Sequence, residues 1–171
     1  MSIIFDRDHY SAVIQNGILK AESFVWIATA NVKDLHVIGN RKSHPLLKDF
    51  ALLAEKGVVI RMLYAKDPSD YFKRSFDRFD TLVKGGIELQ PCPRMHSKIV
   101  IVDGSLAYFG SANLTGAGLG ARSGKRHNFE AGILTEDKKE IQILMEYFDN
   151  IWMGSECAAC GLRDKCEEPI V

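Results

Sequence analysis

Residues 95–113 read M-H-S-K-I-V-I-V-D-G-S-L-A-Y-F-G-S-A-N. The run 97–102 is β-branched and apolar enough to form a strand buried on both faces. Gly104 turns the chain, and residues 106–109 read as the antiparallel partner strand. His96 and Lys98 stand two apart at the start of this hairpin. Side chains two apart on a strand share a face, so the imidazole and the ammonium point the same way. Gly110 and Ser111 close the second strand, where a backbone with little side chain lets an anion approach closely. Lys98, Ser111 and Asn113 therefore offer a group of donors suited to a phosphate whose charge grows in a transition state.

Outward from the hairpin the elements alternate. Residues 3–5 form a short apolar strand, and Asp6 or Asp8 can cap a helix carrying Tyr10, Val13, Ile14 and Leu19. Residues 23–28 (S-F-V-W-I-A) read as a buried strand. Ser43 can cap the next helix, with Pro45 in its first turn, Leu46, Phe50 and Leu53 on one face, and Gly57 as terminator. A strand at 58–64 precedes a helix from Asp67-Pro68 to Gly85-Gly86, followed by a strand at 87–89. After the hairpin come a strand at 127–134 and a helix at 136–152. This alternation predicts a single α/β domain over residues 1–154, a sandwich with a mixed β-sheet flanked by helices. Phe50, Tyr147 and Phe148 are read as core.

The spacing H-x-K-x4-D-x6-G-S-x-N, complete from His96 to Asn113 and present once, resembles the signature of the phospholipase D superfamily. Over about residues 1–154 the chain is most similar to the short, single-motif, Nuc-type endonucleases. The resemblance implies a phospholipase D-like sandwich and makes His96, Lys98, Asp103, Ser111 and Asn113 candidate catalytic residues. In that family two motif histidines share the work, one forming a phosphohistidine and the other acting as acid, then base. No second copy of the motif follows His9, His36 or His44. The expectation is a two-fold homodimer with His96 of each subunit facing across the interface. Asn128 and Glu130 match the N-x-E pattern of similar nucleases, and the resemblance has Glu130 accept the Nδ1 proton of His96. Asp103 also precedes Gly104 in a D-G turn, which gives it an equally good structural role.

The implied activity is a metal-independent phosphodiesterase, foremost an endonuclease cleaving DNA or RNA. A phosphatidyl hydrolase or transferase and a non-catalytic nucleic-acid-binding module are the alternatives. No cofactor is expected for catalysis, because the motif region lacks the clustered carboxylates that a two-metal nuclease needs. Lys98, Ser111 and Asn113 would bind the phosphate, and Arg122, Lys125 and Arg126 form a basic loop just beyond it that would meet a polyanion. Formal net charge is zero over 171 residues, which weighs weakly against a strongly electrostatic nucleic-acid binder. Lys73, Arg74 and Arg78 are interleaved with Asp70, Asp77 and Asp80 and read as a solvated helix face. The start M-S-I-I-F-D-R-D-H has no signal-peptide pattern and no apolar run reaches membrane-spanning length, so the expectation is a cytoplasmic protein without membrane contact.

Residues 155–171 change character. Cys157, Cys160 and Cys166 give C-x2-C-x5-C, and the remaining cysteine, Cys92, lies between Pro91 and Pro93. Four cysteines in a cytosolic chain argue for metal rather than disulfides, with zinc and an iron–sulfur cluster both suited to the donor set. The split resembles the cluster staple of nucleases in bacterial helicase–nuclease complexes and CRISPR systems, whose fold differs. Four positions separate Cys92 from His96, so their Cα atoms are at most roughly 14 Å apart.

Overall fold

A computed structural model describes residues 1–33, 35–38, 42–121 and 127–170. Its centre is the predicted hairpin: β7 (Lys98–Val102) pairs antiparallel with β8 (Leu106–Gly110), Lys98 opposite Gly110. Gly104, at φ +62, makes the turn. The other strands are β1 (Ser2–Phe5), β2 (Phe24–Thr29), β5 (Val59–Tyr64), β6 (Glu88–Pro91) and β9 (Ala131–Thr135). They form one sheet in the order β1-β9-β8-β7-β2-β5-β6. β2, β5 and β6 run parallel, and the pairs β2–β7, β7–β8, β8–β9 and β9–β1 are antiparallel. The sheet is therefore mixed, as expected. A second small ladder joins β3 (His36–Ile38) to β4 (Ser43–Pro45).

Alternation along the strands sorts the core into two layers. Val25, Ile27, Ile60, Met62, Val100 and Val102 face a larger layer with Ile14, Ile18 and the helix α1 (Leu46–Glu55). Ala28, Leu63, Ile99 and Ile101 face a smaller layer under the helix α3 (Lys138–Trp152). On that side Trp26 stacks on Phe148 at 5.1 Å between ring centroids, and Arg61 lies over Trp152 at 5.1 Å. Asp137 caps α3 by accepting from the backbone N–H groups of Lys139 and Glu140. Phe50 and Phe148 are buried as read, whereas Tyr147 is nearly half exposed.

Several elements differ from expectation, among them the strand read at 127–134, which begins only at Ala131 and leaves Asn128 and Glu130 before it. Pro45, extended at φ −65 and ψ 141, is the N-cap of α1, and Ser43 belongs to β4 instead of capping the helix. The helix read from Asp67 to Gly86 is broken: α2 (Asp70–Phe76) is capped by Ser69, and a separate turn spans Leu82–Gly86. A straight helix would carry Leu82 about 80° around from Phe72. The break turns both into the core. Asp6, at φ +44, does not cap a helix; its carboxylate accepts from the backbone N–H of Glu130.

Candidate active site

The candidate residues gather where the parallel strands β2 and β5 end and β7 begins. Crevices at the carboxyl ends of parallel strands are where open α/β sheets bind ligands. β7 is central and buried along its whole length, so its first residue carries Lys98 into a nearly buried position. His96 precedes the strand and is exposed, rather than lying on it. Lys98 Nζ donates to the His96 carbonyl at 2.5 Å and lies 3.4 Å from Nδ1 of the same imidazole. The two side chains therefore meet, although His96 lies before the strand and the shared-face argument does not extend to it. Burial lowers the Lys98 pKa from the ordinary lysine value, and the charge of Glu130 works against that shift.

Glycines bring the next strands close. A Cβ on Gly132 would lie 2.2 Å from the Tyr108 ring, and one on Gly110 would lie 2.5 Å from the Tyr108 hydroxyl. Tyr108 fills the space these glycines leave, and its hydroxyl accepts from the Ala112 N–H at 3.2 Å, holding the Gly-Ser-x-Asn turn. Its pKa is pushed up to about 12, chiefly by burial. In that turn Ser111 donates its hydroxyl to Glu130 Oε2 and accepts from the Ala131 N–H. Glu130 Oε1 accepts from Asn128 at 3.0 Å. Glu130 is therefore placed by Ser111 and Asn128. Its hydrogen bonds to these two residues do not include the expected contact with His96 Nδ1, and each of its oxygens retains a further acceptor site.

Asn113 is also committed through its oxygen. Oδ1 accepts from the backbone N–H groups of Ala30 and Asn31, each at 3.1 Å, and closes the end of β2. Thr29 supports the same corner, its hydroxyl accepting from the Leu114 N–H at 3.0 Å. Thr29 and Asp6 are positioning residues that the sequence reading missed; no motif marks them, since both act through backbone brought close only by folding.

Asp103 lies at the other end of β7. Its Oδ1 accepts from the N–H groups of Ser23 and Phe24, each at 2.8 Å, and its Oδ2 from that of Glu22 at 2.9 Å. Five strand residues place it about 17 Å from Lys98. The structure does not bring it to the site, so its place among the candidate catalytic residues is corrected: it fastens the start of β2. Arg122, Lys125 and Arg126 lie outside the described residues. All four cysteines border one cavity of about 390 Å³ between the loop after β6, the end of α3 and the C-terminal segment. Among the described residues no group of three or more His, Cys, Asp or Glu is arranged to hold a metal ion. The expected four-thiolate site is therefore not preformed.

A family described as cardiolipin synthase, PLD-like domain, matches residues 14–152. The chain belongs to the phospholipase D superfamily. Among curated relatives, the probable cardiolipin synthase YwiE of Bacillus subtilis is 28% identical over 154 residues, covering 88% of this chain and 28% of the relative. The chain spans between about a quarter and a half of the lengths of the curated relatives it matches. Among solved structures, NucT of Helicobacter pylori aligns with a TM-score of 0.65 at 17% identity, covering 88% of this chain and 94% of NucT. Nuc of Salmonella typhimurium, titled a phospholipase D family member, aligns at 0.61 and 14% identity, with 88% and 92% covered. These two show that this phospholipase D-like chain has the Nuc-type fold. No helix among the described residues is long and apolar enough to cross a membrane.

Proposed function

We propose that the chain is a metal-independent endonuclease of DNA or RNA, working as a homodimer through a phosphohistidine. The observation that carries this is the contact of an exposed imidazole with a buried ammonium at the start of β7, with a single motif histidine per chain. His96 attacks phosphorus, and the P–O bond to the leaving oxygen breaks. That oxygen takes a proton from His96 of the partner subunit, which then accepts one from the water that hydrolyses the phosphohistidine. An ammonium donating to Nδ1 leaves the ring proton on Nε2, the tautomer of a proton donor. A phosphate that draws Lys98 onto its oxygens frees Nδ1 to hold the proton, making Nε2 the nucleophile.

Two observations support the remaining parts. Phe109, Ile143 and Tyr147 are 43, 65 and 46% exposed and surround a shallow hollow that reaches Lys98, an apolar face suited to a second copy beside the site. The alignments with NucT and Nuc span nearly the whole of those chains, which fits the short, single-motif architecture on which this reading rests. The second reading is hydrolysis or transfer at a lipid phosphodiester, favoured by the curated relatives named for cardiolipin. The test is endpoint cleavage of labelled single- and double-stranded DNA, RNA and cardiolipin vesicles in excess EDTA, beside His96→Ala. Nucleic-acid cleavage lost in the variant supports the nuclease. Cleavage of the lipid alone selects the second reading, and activity restored only by Mg²⁺ refutes the histidine mechanism.

A further inference from the structure

Residues 155–170 are ordered without a core of their own. None of them is buried, and neither hydrophobic cluster includes a residue beyond Trp152. Yet the segment is folded through successive tight turns: Cys157 N–H to Gly154 O at 2.8 Å, Cys160 N–H to Cys157 O at 3.2 Å, and Cys166 N–H to Arg163 O at 3.1 Å. A short segment that buries so little apolar surface needs a staple to offset its chain entropy.

The cysteines are placed to supply one. The turn from Cys157 to Cys160 sets a C-x2-C pair on one wall of the 390 Å³ cavity, and Cys166 joins it after the turn Arg163–Lys165. Cys92, distant in sequence, borders the same cavity. Its N–H donates to Tyr64 O at 2.7 Å and its carbonyl accepts from Met95 N–H at 2.8 Å, so this ligand is fixed to β5 and to the residue before His96. Glu156 and Glu168 also border the cavity, and Arg94 and Arg163 bring compensating positive charge.

We infer that Cys92, Cys157, Cys160 and Cys166 close on one thiophilic metal centre, zinc or an iron–sulfur cluster, that fastens the C-terminal segment to the loop entering the active site. Zinc and iron–sulfur share this donor set, and each binds thiolate, not thiol. Such a site rarely exists before its metal does, so the four sulfurs that share this cavity are drawn together as the centre loads. A centre held by four thiolates has no open position, and its role here is structural.

The experiment uses the full chain purified without oxygen, as expressed and after reconstitution with zinc or with iron and sulfide. Metal and sulfide contents, the visible spectrum and the rate of tryptic cleavage at Arg163 and Lys165 are compared among wild type, Cys160→Ser and Cys92→Ser. Stoichiometric colourless zinc, or iron with matching sulfide and a brown chromophore, is expected in wild type. Each variant should lose most of it and be cut at least tenfold faster. Two variants on separate segments guard against one simply misfolding. The inference is overturned if wild type takes up neither metal, if both variants retain it, or if the cysteines prove to be paired as disulfides. None of these readouts depends on phosphodiesterase activity.

Discussion

Replacing Asp103 separates a structural from a catalytic role. Its carboxylate accepts three backbone N–H groups, from Glu22, Ser23 and Phe24, and its φ of +54 lies in the left-handed region that Asp and Asn tolerate best. Asp103→Asn keeps the backbone preference and an oxygen for Ser23 and Phe24. It turns an NH₂ toward the Glu22 N–H, removing one charge-assisted bond and setting donor against donor. At a partly exposed site, where water replaces some of the loss, this costs about 1–2 kcal/mol. Asp103→Ala removes all three acceptors and adds left-handed strain, for about 2–4 kcal/mol. For a chain of this size the Asn variant should melt about 2–8 °C lower. Because the carboxylate is about 17 Å from Lys98, kcat measured well below the midpoint should stay within about a factor of two. Thermal melts and cleavage rates on the same preparations check both. A kcat reduced about 100-fold at an unchanged midpoint would refute the reasoning and return Asp103 to the chemistry.

Gly132→Ala places a Cβ 2.2 Å from the fully buried Tyr108 ring; it should destabilise by about 1–3 kcal/mol in urea melts and also slow cleavage, because Tyr108 holds the Ala112 N–H. Lys98 works as an ammonium with a lowered pKa, so activity should fall with rising pH earlier than an ordinary lysine allows, and Lys98→Arg should move that alkaline limb upward in a pH–rate profile. The stability contribution has the opposite sign: between the folded and unfolded Lys98 values the unfolded chain holds more protons, so stability rises with pH there. Ile143→Glu puts a charge on the apolar face beside Lys98 and should give a folded monomer by light scattering, with cleavage lost; an active monomer would remove the two-subunit site.

Much of the site was legible because its parts are local. The two-residue step from His96 to Lys98, the D-G turn and the small residues after β8 are constraints between near neighbours, and the hairpin follows from them. The alternating elements likewise predict the mixed sheet, since periodicity reports which face is buried. Helix ends were less legible: Ser43 was a plausible cap, but pairing of β3 with β4 took it, and the need to bury both Phe72 and Leu82 broke the helix after Phe76.

By itself, the sequence determined the motif, its single copy, the sheet class and the residue types at the crevice, all properties of spacing along the chain. Only the tertiary structure decided which oxygen meets which N–H: Asp103 on the start of β2, Asn113 on its end, Asp6 behind Glu130, and Glu130 held by Ser111 and Asn128 rather than by His96. These partners are backbone groups, or side chains on separate segments, and hydrogen bonding is too directional for spacing alone to choose among them. The same holds for the cysteines. Their number was visible in the chain, but one cavity shared by Cys92 and the C-terminal three exists because β6 and the end of α3 meet on one side of the sheet.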